Sequence, residues 1–391
     1  MLRYLRFGWV LLFSAPLAFG GLLMGGPWTW IGIAAPMAVM LSGDWLLGDD
    51  LAAPALKWPR LLNTFLFAQV PVTFVAIVLI AWKAAPGDLF GIGALAQHAT
   101  GWDVATGHHA GAGSLTGGLL AISLLLSVNF FIGHELVHRA DALSVFAARW
   151  LFAAVGDTQF SISHLYDHHI HVGTPRDPAT ARRGESLYGF MLRSSIGQWL
   201  SSARIEADRL RRTGKPAWSM RNRFLRGQVM TLAIAAALLV ACGGWQGMLA
   251  WAFCAFYAKV LYEAVNYIQH YGLVRAPGTP VEPRHSWDCT APLSSAFLVN
   301  LTRHADHHAR GDVPFWSLHS QPLAPHMPRG YFASIFIAFV PPLWHREMAP
   351  LLERWDAKFA SAEETTLLRA ATARRDGPST HKGKRAAERV S

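Results

Sequence analysis

Charge is what this chain has least of. Only 15% of its 391 residues are Asp, Glu, Lys or Arg, against 52% hydrophobic residues, and mean hydropathy is +0.23. A soluble protein of this length does not bury so much apolar surface, so the composition excludes an ordinary soluble enzyme and implies an all-α integral membrane protein. Acidic residues are scarcer than basic ones, 25 against 35, leaving a formal charge of +10. No interleaved basic and aromatic motif accompanies that excess, which argues against nucleic acid as a partner; membrane orientation accounts for it. Cysteine is nearly absent: Cys242 and Cys254 lie in apolar runs, Cys289 in a polar one, and none forms a CxxC. Neither a disulfide framework nor an iron–sulfur cluster fits that inventory. A glycine-rich dinucleotide fingerprint is also missing, so no flavin or nicotinamide site is expected, nor haem.

What the chain has in quantity is long apolar runs, at 7–24, 28–47, 63–82, 115–133, 227–243 and 246–265, each near the length a bilayer core requires. Six transmembrane helices leave both termini on one side. Arg3, Arg6, Lys57, Arg60 and the Arg-rich stretch from Arg139 to Arg226 fall on that side, with little but Lys83 opposite. The positive-inside rule then places both termini in the cytosol, the chain lying in a bacterial-type inner membrane. The basic start MLRYLRFGWVLLF is like a signal peptide without a small-residue cleavage site, so a retained first span is expected. Pro27 and Gly243-Gly244 mark tight outer turns, and residues 83–114 read as a cap or a disordered connection. ARIEADRLRR (203–212) reads as a charged helix with a solvated face. YFASIFIAFV, opening at Tyr331 and stopped by Pro341-Pro342, is too short to cross and is expected to be re-entrant or interfacial. The expected organisation is one membrane-embedded domain over 1–360 and a disordered cytosolic tail over 361–391.

Histidine is over-supplied, at 18. The fourth apolar run ends without a polar linker in HELVHR, so His134 and His138 stand i, i+4 on one helix face at a membrane surface. HExxH alone is shared with zinc proteases and with chance. Three further groups raise its weight: HLYDHH (His164, His168, His169), NYIQHYG (His270) and RHADHH (His304, His307, His308), the multi-histidine groups each containing an i, i+4 pair. Nine imidazoles are too many for one tetrahedral zinc and suit two metals of five or six coordination with positions left open. His98, His108 and His109 fall in the loop facing away. His171, His285, His319, His326, His345 and His381 lack partnered spacing and are expected to be non-ligands, His285 being the nearest to an exception. Imidazole suits iron, zinc, copper or nickel, so residue type does not choose the metal. Location says more: a site fed by membrane helices suits a lipid-soluble substrate, and attack on an unactivated C–H bond needs an oxidant no side chain supplies. Two irons activating O2 meet that need.

The segments HELVHR, HLYDHHIHVGTPRDPATARRGESLYGF, NYIQHYGLVR and NLTRHADHHARG resemble those of the membrane non-haem di-iron alkane monooxygenases and the related xylene monooxygenase hydroxylase subunits, of the fatty acid desaturase-like superfamily. The resemblance runs from the second apolar run to about Trp355. It implies a desaturase-like fold with a cytosolic helical di-iron site, two iron ions being held by His134, His138, His164, His168, His169, His270, His304, His307 and His308. It implies the reaction R–H + O2 + two electrons + two protons giving R–OH + H2O, on a terminal alkane or a methyl group of an alkyl-aromatic or terpene. It also implies a rubredoxin or a ferredoxin-type reductase as electron donor. Many alkane enzymes carry Glu where this chain has Gln269, as xylene-type relatives do, so the hydrocarbon stays open.

Around this set, Glu135, Glu263 and Asp306 are candidates for orienting imidazole N–H groups; helix capping, headgroup contacts and local ion pairs are their alternative roles. Arg303, Arg310 and the segment around Arg182 are expected to face an acidic partner. Ile31, Ala35, Ala38 and Ser42 share a helical face that is either close packing or the border of an apolar tunnel, with Ala35 and Ala38 as its wall and Asp44 at its inner end. Three other readings compete. A membrane fatty-acid desaturase or hydroxylase differs in substrate and outcome, an intramembrane zinc protease leaves most of the histidines unexplained, and a metal transporter spreads its ligands across the bilayer.

Overall fold

The computed structural model describes residues 2–51, 56–101 and 111–375; His108, His109 and His381 lie outside them. Secondary structure is helical apart from an isolated bridge between Asp288 and His326. The chain runs through α1 (Val10–Met24), α2 (Gly26–Leu47), α3 (Pro59–Ala84), α4 (Ile92–Thr100), α5 (Gly111–Val137), α6 (Ala142–Ala154), α7 (Leu187–Arg212), α8 (Arg223–Ala241) and α9 (Gln246–His270). Among the described residues five of these, α2, α3, α5, α8 and α9, are long and apolar enough to cross a membrane, and the protein is an integral membrane protein. The expected first span falls short of that length. Residues 6–8 form a 3-10 turn and Val10–Ser14 a π-helical one before regular α-helix begins at Ala15, Arg6 is tied to Asp50, and Gly25 (φ 69°) ends the helix.

The most enclosed span is α5, with 78% of its apolar window buried against 17% for α2 and 22% for α8. A helix that is apolar all round belongs in the centre, and α5 packs on α9, α6 and α3 there. Between α3 and α5, Gln69 Nε2 (2.9 Å) and Thr73 Oγ1 (2.7 Å) both donate to Asn129 Oδ1, a buried polar contact of the kind that contributes roughly 0.6–2 kcal/mol between membrane helices. In α9, Lys259 Nζ lies 2.6 Å from Asp157 and 2.7 Å from Glu263, so that buried charge is matched twice. The α1–α2 hairpin closes on Gly32, where a Cβ would stand 2.6 Å from Ala18 Cα.

Beyond α9 come α10 (Pro292–Phe297), α11 (His304–Ala309), α12 (Tyr331–Ala338), α13 (Pro341–Lys358) and α14 (Ala362–Arg375). As expected, α12 is too short to cross; it packs on α9 and α13. Where a cap or disordered connection was expected over 83–114, Asp88 accepts from the Gly93 (2.6 Å) and Ala94 (2.9 Å) amides and starts α4. The charged segment 203–212 is the C-terminal part of α7.

Two further expectations need correction. The tail expected to be disordered from 361 is helical over Ala362–Arg375, because Ser361 and Glu364 cap each other's amides at 2.8 and 3.2 Å, the S-x-x-E arrangement of a helix start. The second concerns α2, whose inward face is Gly32, Pro36, Met40 and Gly43, whereas Ala38 and Ser42 are exposed and Ala35 is half-buried. Asp44, at the inner end of the expected tunnel, instead accepts from the Leu293 (2.9 Å) and Ser294 (3.0 Å) amides that open α10. Ala38→Phe is therefore expected to leave metal content and product distribution unchanged. A shift toward smaller products, measured by gas chromatography, would restore the tunnel reading.

Candidate metal centre

All nine sequence-predicted histidines converge in two sets, buried except for the half-buried His138 and His169. His134, His138, His164, His169 and His307 form one and His168, His270, His304 and His308 the other, the ligand atoms within each lying within 4.8 Å of one another. The sets adjoin, with the His169 and His308 rings 4.5 Å apart.

The local backbone explains the partition. His134 and His138 point the same way because His134 stands in the last turn of α5 and His138 follows Val137, its last residue, one helical turn on, at the end of the most enclosed span. Residues 164–168 are π-helical, however, and the His169 amide bonds back to the His164 carbonyl. Five-residue spacing therefore brings His164 and His169 together edge to face (Nε2 to Nε2, 2.9 Å) and turns His168 into the other set. The i, i+4 pairing expected of His164 and His168 is thus replaced by i, i+5. In α11 the regular spacing holds: His304 and His308 share a set at 3.1 Å, and His307 faces His169 at 3.1 Å.

These spacings test whether a metal fits. Ligands about 2.0–2.1 Å from one ion lie about 2.9–3.0 Å apart at right angles and about 3.3–3.4 Å apart in a tetrahedron. The observed Nε2 pairs, His138–His164 at 3.0 Å, His164–His169 at 2.9 Å, His270–His304 at 2.9 Å and His304–His308 at 3.1 Å, match right-angled coordination. Hydrogen bonding does not explain the convergence. The Nδ1 protons of His168 and His270 are committed elsewhere, and His134 Nε2 is buried with no partner among the described residues. Burial first, and repulsion between imidazoles second, hold His164, His169, His304, His307 and His308 well below the ordinary imidazole range, and His138 at about 4. Neutral rings with free lone pairs are what a metal site requires.

Two orienting contacts fall on residues the sequence reading did not select. His168 Nδ1 donates to Asp177 Oδ2 at 2.8 Å, and Asp177 is itself anchored by Thr180 Oγ1 (2.7 Å) and the Ala179 amide (2.9 Å). His270 Nδ1 donates to the His285 carbonyl at 3.1 Å. Only the buried turn TPRDPAT hinted at Asp177, and nothing in sequence marks a carbonyl. His285 itself is no ligand: its Nδ1 accepts from the Glu282 amide (3.0 Å) and its Nε2 faces Glu364 (3.0 Å). Removing such a partner typically costs about 10–100-fold in metal affinity or activity, and Asp177→Ala is expected to show that loss as metal surrendered to a chelator. Asp177→Asn, which keeps a carbonyl acceptor, should lose less; parental retention in Asp177→Ala would refute the orienting role.

The carboxylates expected to orient imidazoles meet other partners. Glu135 takes Arg139 Nη2 (3.0 Å) and the Phe315 amide (3.2 Å), and Glu263 takes Lys259 and Gln198 Nε2 (2.9 Å). Asp306 takes Arg310, the His319 amide (2.8 Å) and Gln321 Nε2 (2.6 Å), and so fastens the loop after α11. Local ion pairing and anchoring, their alternative roles, describe these contacts. Arg303 is buried and donates to the Leu318 (2.7 Å) and Asp50 (3.1 Å) carbonyls, so it presents no docking charge; Arg182 is exposed, and Arg310 is partly exposed but paired with Asp306.

The profile of the fatty acid desaturase family matches residues 110–337. The chain is 32% identical to Alkane 1-monooxygenase 1 of Pseudomonas aeruginosa over 326 residues, 80% of each chain. It is 30% identical to Alkane 1-monooxygenase 2 of Alcanivorax borkumensis, over 90% of this chain and 91% of that one. It is 28% identical to the xylene/toluene monooxygenase hydroxylase component of Pseudomonas putida, over 92% of each.

Proposed function

The chain belongs to the fatty acid desaturase family, and from that premise we propose that it is a membrane di-iron monooxygenase that hydroxylates a hydrocarbon C–H bond, on a terminal alkane or on the methyl group of an alkyl-aromatic or terpene. The observation that carries this reading is the pair of all-imidazole sets, five and four, gathered at the ends of apolar spans. Two irons fit those donors, and when bound they supply the O2 chemistry that an unactivated C–H bond requires.

The protein's own part is to hold and to exclude. Asp177 and the His285 carbonyl fix His168 and His270 with Nδ1 protonated, leaving Nε2 free to ligate. Phe160 stacks on His164, and Phe130 and Tyr262, stacked on each other at 4.3 Å, meet Phe160 edge-on behind it, a buried apolar packing that keeps water from that side of the histidines. Gln269, beside His270, is buried and uncharged, donating at 3.4 Å to the Leu301 carbonyl, so this position adds no negative charge to the four-histidine set. Counting α1 as a sixth span puts both termini and the centre on one side. The basic residues make that side cytosolic, where a rubredoxin or ferredoxin-type reductase delivers electrons.

The test is product analysis with the purified chain, a surrogate reductase system, and octane, p-xylene, p-cymene and a fatty acyl substrate offered separately, alongside a metal count. An alcohol from a hydrocarbon, with two irons per chain and no turnover on NADH alone, is expected. An alkene from the acyl substrate, or a single zinc, would overturn the reading.

A further inference from the structure

Beside His138 lies a cavity of about 330 Å³ whose lining includes Val137, Arg139, Arg149, Ser161, Tyr166 and Arg223. It opens where α5 ends and α8 begins, the level at which two spans meet the polar surface. Its charges are unequally matched. Arg139 is paired with Glu135 at 3.0 Å, while Arg223 (2.6 Å) and Arg209 (2.9 Å) share Glu206. Arg149 is half-buried and has no hydrogen bond or ion pair among the described residues; burial, then Arg226 and Arg223, push it below its ordinary value. Around this cavity Arg139, Arg149, Arg209, Arg223 and the exposed Arg226 outnumber the carboxylates Glu135, Glu206 and Asp141. Arginines crowded this way call for an anion.

The surroundings say which kind. Leu143 and Phe146 of α6 are exposed, as are Leu225 and Val229 at the start of α8. The turn before α8 exposes Trp218 and Met220 between Lys215 and Arg221. Aromatic and aliphatic side chains interleaved with cations at the end of a span are the composition of a membrane interface, and basic pockets between transmembrane helices hold lipid headgroups. An acidic protein surface would match the arginines but leave that apolar flank in water.

We propose that this cavity binds the phosphate of an anionic phospholipid, Arg149 being its main counter-charge and the exposed apolar side chains of α6 and α8 receiving the acyl chains. The site goes beyond the hydroxylation reading and does not depend on it.

The test is native mass spectrometry of the full-length protein in detergent carrying phosphatidylglycerol or phosphatidylcholine, with metal content measured on the same samples. Phosphatidylglycerol is expected to be retained in preference. Arg149→Gln is expected to cut that retention about fivefold, since one juxtamembrane cation contributes that much, with metal content unchanged. Arg149→Lys, which keeps the charge, is expected to restore most of it; if Arg149→Gln does not fold, the wild-type lipid preference at low and at high salt decides instead. Equal retention of the two lipids would overturn the proposal, as would retention indifferent to Arg149 or to salt. Displacement by millimolar inorganic phosphate would make this a free-anion site and also overturn it. So would weakened binding of an acidic electron donor in Arg149→Gln with lipid retention intact.

Discussion

His270→Ala is expected to empty one metal position and leave the other loaded, so that iron falls from about two per chain to about one while hydroxylation falls below detection. The asymmetry follows from the two sets. His270 belongs to the four-histidine set, where its loss leaves three imidazoles; His138 belongs to the five-histidine set, where the same change leaves four. His270 is also pre-oriented by the His285 carbonyl, whereas Nδ1 of His304 and of His308 is buried without a partner among the described residues. Removing a ligand outright should exceed the roughly 10–100-fold cost of removing an outer partner. His138→Ala should accordingly retain more metal than His270→Ala, though both lose activity. Metal analysis with Mössbauer spectroscopy separates the cases. Two irons and parental turnover in His270→Ala would remove the basis for a two-metal centre.

What was legible in the sequence was what helix periodicity encodes. The His304–His308 pair is an i, i+4 contact within one regular helix and the HELVH pair an i, i+4 contact across the end of another, and both form as read. The His164–His168 pair did not, because a π-helical turn is a departure from periodicity that composition does not announce. Carboxylates were harder. Glu135, Glu263 and Asp306 are near the ligands in sequence, but each has a cation or amide within reach, Arg139, Lys259 and Arg310 respectively, and a buried carboxylate takes its nearest cation first. Asp177 reaches His168 only because the turn through Thr174–Thr180 folds back, a non-local fact. The face of α2 misread by one residue shows the same limit: small residues line both faces, and only packing against α1, α5 and α10 decides which is buried.

The segment read as a disordered tail carries the second large expectation. Glu364, on the first turn of α14, is fully buried and takes His285 Nε2 at 3.0 Å together with Arg284 Nη1. Arg284 also donates to the Phe359 carbonyl (2.6 Å), and Trp355 Nε1 donates to the Arg284 carbonyl (2.7 Å). The next link is the His285 carbonyl on His270 Nδ1, so a helix near the C-terminus reaches a metal-site histidine through one residue. Glu364→Ala leaves the buried His285 imidazole without its carboxylate and leaves Arg284 only Glu282 as a carboxylate partner, at 2.6 Å. Breaking a buried pair costs about 3–5 kcal/mol, and the low end applies here because Arg284 keeps some solvent and two other contacts. Burial pushes the Glu364 carboxyl up, but the Ser361 amide, His285 and Arg284 together hold it below its usual 4.5. The contribution of this clamp is therefore fully present above pH 4.5 and is lost only as pH falls through the lower folded value. Deleting residues 361–391 is expected to act like Glu364→Ala, lowering thermal stability and the iron retained against a chelator. Glu364→Gln separates positioning from charge, because its amide oxygen can still accept from His285 Nε2 while the ion pair with Arg284 is gone. If iron retention in Glu364→Gln stays near parental and that in Glu364→Ala collapses, the helix positions His270 through His285; if both keep parental iron, α14 only covers the surface it rests on.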